Sequence, residues 1–140
     1  MARLETTDAG WLLLRPYGYQ FPSLTSVWDD WVNCEWELQL AAHRVRRTTQ
    51  ASFLTWEFES IVAFFRGLAA PPRRLSPVRT VEPFVFALER WSDSGTADLV
   101  LTLGLPVPRP LRLAVAPSEA AAFAEELARD CLPFPRRTPV

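Results

Sequence analysis

The apolar residues of this chain change their spacing at Phe53, and that change limits the folds open to it. Before it, Cys34, Trp36, Leu38 and Leu40 alternate with Glu35, Glu37 and Gln39, the period-two pattern of a strand with one buried face. After it, Leu54, Phe58, Ile61, Phe65 and Leu68 follow spacings of four, three, four and three, which stacks them on one helical stripe. Thr55 stands where an N-cap is needed, Glu57 and Glu59 suit the positive end of the helix dipole, and Gly67 with Pro71-Pro72 ends the run. Alternation then returns. Phe84, Phe86 and Leu88 precede the turn Ser92-Asp93-Ser94-Gly95, and Leu99, Leu101, Leu103 and Leu105 follow it, which is a hairpin signal. Beyond an extended connector at Pro106 to Pro110, Leu111, Leu113 and Val115 make one more strand. Pro117-Ser118-Glu119 opens a last helix, with Ser118 as its N-cap and Ala120, Phe123, Ala124, Leu127 and Cys131 on its apolar side.

Upstream, Trp11 to Arg15 reads as a first strand that continues through Pro16 to Pro22, and Val45 to Thr49 returns beside Cys34 to Leu40, with the reversal at Ala42-His43-Arg44. Strands, helix, strands, helix predicts an α+β fold, roughly βββα-βββα: a mostly antiparallel sheet of about six strands with two helices on its apolar face. A length of 140 residues, 49% of them hydrophobic, suits a single domain spanning residues 1–140. The 15 basic residues, all Arg, stand against 16 acidic ones, so the chain lacks the basic excess with which proteins hold a nucleic-acid backbone. The absence of Lys travels with abundant Ala, Leu and Pro, a compositional bias on which no function is built. Trp11 to Leu14 is too short for the apolar core of a signal peptide, and nothing approaches a bilayer span, so a cytoplasmic protein without membrane contact is expected. Cys34 and Cys131 read as reduced, partly buried core residues.

The sequence offers little chemistry. His43 is the one histidine, it falls in the hairpin turn, and no nucleophile motif accompanies it. No metal-ligand spacing, phosphate-cradling glycine loop or cofactor motif is present, so no catalytic, cofactor or metal residue is assigned. The densest constellation runs from Trp28 to Glu37, with three Trp and four carboxylates in ten residues. Paired carboxylates with a Trp platform fit a carbohydrate-acting or ligand-binding site. Exposed Trp and acids fit a protein-binding surface better, including that of an accessory interaction domain. The plainest alternative places Trp31 and Trp36 in the core and the acids in water. As a partner-binding surface, the candidates are Trp28, Asp29, Asp30, Glu35 and Glu37, joined by Glu57 and Glu59 if folding brings the helix start to the loop.

Four segments, Tyr17-Gly18-Tyr19-Gln20-Phe21-Pro22, Asp30-Trp31-Val32-Asn33, Phe53-Leu54-Thr55-Trp56-Glu57-Phe58 and Val81-Glu82-Pro83-Phe84-Val85-Phe86, occur in the order and spacing of the WapI-family immunity proteins. The resemblance covers Trp11 to about Pro135. It departs from the family pattern at Asp30, where Asn is commoner, and in a shortened hairpin at Ala41 to Arg44. What it implies is a cytoplasmic antitoxin that binds the carboxyl-terminal domain of a large toxin, in many cases a nuclease, and blocks it without chemistry.

Overall fold

Two antiparallel meanders, each followed by a helix, make up the chain. The structure, a computed structural model, describes residues 1–40, 45–71, 74–81, 84–103 and 109–139. The first meander contains β1 (Ala2–Glu5), β2 (Trp11–Tyr19), β3 (Trp31–Leu40) and β4 (Val45–Leu54), and leads into α1 (Thr55–Gly67). The second contains β5 (Val78–Arg79), β6 (Phe84–Trp91), β7 (Ala97–Leu103) and β8 (Arg109–Val115), and leads into α2 (Pro117–Cys131). Each meander is a four-stranded sheet in sequence order. The α+β class and both helices agree with the sequence. The described strands, however, number eight in two sheets, because β1 and β5 are too short to declare themselves by alternation.

The period-two residues behave as strand physics requires: Cys34, Trp36, Leu38 and Leu40 are buried, while Glu35, Glu37 and Gln39 on the other face are half-buried. Pro16 falls beyond the end of β1's pairing at Leu14 and at a register shift between Pro16 and Gly18, the kind of irregularity where a strand accommodates a residue without an N–H. The hairpin between β6 and β7 closes through Gly95 at φ 84°, a left-handed conformation that glycine adopts without strain. Gly10, in the turn from β1 to β2, is needed for space, since a Cβ there would sit 2.6 Å from the Gln39 carbonyl oxygen. The reversal at Ala42-His43-Arg44 and the connector at Pro106 to Pro108, with Leu105, lie outside the described residues.

Both helix starts differ from expectation in the same way. Leu54, extended at φ −65° and ψ 148°, takes the N-cap position of α1, and Thr55 is its first helical residue. The Thr55 hydroxyl is directed to Asp30 instead, and the carboxylate of Glu57 caps the helix by accepting from the Leu54 amide at 2.8 Å. In α2 the N-cap position belongs to Ala116, followed by Pro117, whose fixed φ and absent N–H suit a first turn; Ser118 lies inside the helix.

The helices tie the two halves together. α1 packs on α2, β4 and β5, whereas α2 packs on β1 and β2 of the first sheet. Leu54, Phe58, Ile61, Phe65 and Leu68 are all buried, as the stripe predicts. An aromatic chain crosses the core: Trp36 and Phe53 of the first sheet each meet Phe84 of the second, at 5.4 and 5.2 Å between ring centroids. Phe65 continues it from α1 to Phe86 at 5.9 Å and to Phe123 of α2 at 4.7 Å. Residues of both sheets and both helices therefore share one buried cluster.

Candidate functional site

The register of β3 with β4 explains why the Trp28–Glu37 segment meets the start of α1. Trp31 pairs with Leu54, so the residue before β3 and the residue after β4 are neighbours, and the Thr55 amide donates to the Asp30 carbonyl at 3.0 Å. Tyr19 pairs with Val32 at the same end of the sheet, and the Gln20 amide donates to the Trp31 carbonyl at 2.9 Å. Residues 20–30 thus form a loop whose ends are set by the sheet.

Asp30 and Glu57, expected on an exposed acidic face, are buried at 0% and 5% exposure. Their partners come from elsewhere in the chain. Asp30 accepts from the Thr55 hydroxyl at 2.7 Å, from the Arg137 amide at 2.9 Å and from Arg137 Nε at 2.8 Å. Burial alone would raise its pKa, but these donors and the guanidinium charge outweigh it and hold the carboxyl below its ordinary range. Glu57 accepts from the amides of Leu54 and Val81, at 2.8 and 2.7 Å, and so joins the helix start to the segment ahead of β6.

The other candidates remain at the surface in two separate groups. Around the loop, Trp28 is 62% exposed and sits edge-on to Trp56, with ring centroids 5.7 Å apart. Asp29, half-buried beside it, accepts from the Thr25 hydroxyl at 2.7 Å, and Glu59 is exposed on the first turns of α1. On the outer face of the first sheet, Glu35 pairs with the Arg15 guanidinium and Glu37 lies in register between Leu13 and Thr48. At about 3.3 Å per residue, Glu37 stands roughly 20 Å along β3 from the loop, so the acids do not form one cluster. Trp31 is half-buried, and Trp36 is in the core.

Next to Trp28 a groove of about 710 Å³ opens along α1, with Trp56, Ser60, Phe64, Leu75 and Val81 in its walls. Val81 is 63% exposed, and Phe21 and Val27 of the loop are exposed as well, which gives this end of the molecule an apolar character unusual for a surface. Arg136 lies over the Trp56 ring at 5.2 Å from its centroid. Sequence reasoning missed the part played by residues 134–137. An Arg between prolines and a chain end carries no periodic signal, and its partner is 107 residues away.

Burial pushes the thiols of Cys34 and Cys131 up to about 12, so both remain protonated and poorly nucleophilic near neutrality; neither forms a disulfide. Among the described residues no group of His, Cys, Asp and Glu could hold a metal ion. No described helix is long and apolar enough to cross a membrane. His43 lies outside the described residues.

The immunity protein WapI-like family model matches residues 3–135 of the chain. No curated protein and no solved structure matches it.

Proposed function

The chain belongs to the WapI-like immunity protein family, and from that premise we propose that it is a cytoplasmic, non-enzymatic protein that binds and neutralises the carboxyl-terminal domain of a cognate toxin, a nuclease. The observation that carries this reading is Trp28, a largely exposed indole on a secured loop, set edge-on against Trp56 beside an apolar groove. Large aromatic anchors of this kind dominate the energy of protein interfaces. Asp29 and Glu59 add negative charge nearby, which complements the basic surface that a nuclease needs to hold phosphates. Of the carboxylates that a sugar-acting site could draw on here, Asp30 and Glu57 are committed to Arg137 and to backbone amides, and Glu35 to Arg15.

The direct test is coexpression with the terminal domain of the toxin encoded beside this chain, followed by copurification and measurement of affinity. Trp28→Ala is expected to weaken binding about 30-fold, the equivalent of a hot-spot loss of ~2 kcal/mol, with an unchanged melting temperature. An affinity equal to that of the unmodified protein would remove Trp28 as the anchor.

The acids act on a different observable. Reversing Asp29 and Glu59 together (Asp29→Arg, Glu59→Arg) is expected to slow association with the toxin and to flatten its dependence on salt, since peripheral charges work mainly through encounter rate. Identical association rates at low ionic strength would eliminate an acidic recognition surface.

A further inference from the structure

Resting on the reading of Trp28 as a recognition anchor, we infer that Arg137 is the positioning residue of the loop that carries it. One side chain holds both ends of the loop at once. Its Nη1 donates to the carbonyls of Phe21 and Pro22, at 3.0 and 3.3 Å, where the chain leaves β2. Its Nε and its own backbone amide donate to the two carboxylate oxygens of Asp30, at 2.8 and 2.9 Å, where the chain enters β3. The guanidinium donates from two separate nitrogens, Nε and Nη1, to the two ends of the loop; a lysine would donate from a single nitrogen and could not span them.

The surroundings of Arg137 are built for it. Its guanidinium lies 3.6 Å from the centroid of Tyr19, whose hydroxyl donates to the Pro135 carbonyl at 2.6 Å, and Phe134 packs edge-on to the same ring at 5.5 Å. Asp30 is inaccessible to solvent and draws its only ion pair among the described residues from this guanidinium. Inside the loop the 3-10 turn Val27–Asp29 is fixed locally, with Ser26 accepting from the Trp28 amide and the Asp29 amide donating to the Ser26 carbonyl. The turn therefore supplies the shape of the tip, and Arg137 fixes where that tip stands relative to Trp56. A loop ordered before binding does not charge its ordering entropy to the complex, and affinity rises by the fraction of molecules already competent.

Hydrogen exchange on the full chain, with Arg137→Ala and Arg137→Lys beside the unmodified protein, tests the inference. In Arg137→Ala the amides of Gln20 and Asp30 should exchange close to the unprotected rate, while those of β3 and α1, and that of Asp29 inside the locally closed turn, keep their protection. In Arg137→Lys, which keeps a cation for Asp30 but loses the reach to Phe21 and Pro22, Asp30 should regain protection and Gln20 should not. Toxin association should fall roughly tenfold or more for the Ala variant, in proportion to the lost competent fraction. Full protection of residues 20–30 in Arg137→Ala would overturn the inference, as would loss of protection spread evenly through the core. Should that variant fail to fold, Gln20 in the Lys variant decides by the same criterion. A loosened loop with unchanged toxin association would support the positioning role and overturn Trp28 as the anchor, so the two readings fail separately.

Discussion

Phe65→Ala should lower folding stability by about 3–5 kcal/mol, as full truncation of a buried aromatic does when its surroundings relax only partly. Phe65 is inaccessible to solvent and touches aromatic rings on three different elements: Phe64 of α1, Phe86 of β6 and Phe123 of α2. Neither helix can close over the space without moving away from the sheet it covers. For a protein whose whole stability is on the order of 5–15 kcal/mol, the loss takes about a fifth or more. Urea unfolding should report it as a lowered midpoint with an unchanged slope. Ile61→Val in the same stripe should cost only about 0.5–1.5 kcal/mol. Equal midpoints for Phe65→Ala and the unmodified chain would show that the α1–α2 contact is not packed as described.

Asp30→Ala should cost about 1–3 kcal/mol, because the buried Thr55 hydroxyl and the Arg137 amide lose their acceptor, while the guanidinium of Arg137, only half-buried, is in part rehydrated. The guanidinium of Arg137 would keep the Phe21 and Pro22 carbonyls but lose its counter-ion. The direction of the pH effect follows from the lowered pKa of Asp30. A carboxylate with a folded pKa below its unfolded value of about 3.9 contributes stability that is fully present above that value, and is lost as pH falls through the folded pKa. The melting temperature should therefore be insensitive to this group between about pH 7 and 5, and should drop more steeply below pH ~4 in the unmodified chain than in Asp30→Asn. Acid limbs that superimpose would mean that the Asp30–Arg137 pair does not contribute.

How much could be read in advance depended on whether a residue's partners are near in sequence. The α1 stripe and the β3 alternation were legible because burial there follows from a short repeating geometry, and every residue of the stripe is buried. β1 was illegible because its apolar face consists of Ala2 and Leu4 alone, which lie beneath a helix more than a hundred residues away. The site divided in the same way. Trp28 and Glu59 are exposed and Asp29 is half-buried, with no distant partner among the described residues drawing any of them inside. Asp30 and Glu57 are buried, since a carboxylate goes inside only when donors meet it there, and those donors are Arg137, Thr55 and the Val81 amide. For Glu57 a local hint existed in its position as the third helical residue after Leu54, the spacing at which a glutamate turns back to cap its own helix. For Asp30 there was none.

The seating of α2 on β1 and β2 has a consequence for synthesis. During vectorial translation Ala2 and Leu4 leave the ribosome more than a hundred residues ahead of Pro117–Cys131, the helix that covers them. The first meander must wait with an open apolar face until α2 has been made, a delay of several seconds or more at about 5–20 residues per second. Until then that face is open to chaperones and proteases, and closure joins segments of high contact order. Cut between α1 and β5, the two fragments should be poorly ordered apart and regain structure only on mixing, which would make the protein a natural candidate for split reconstitution.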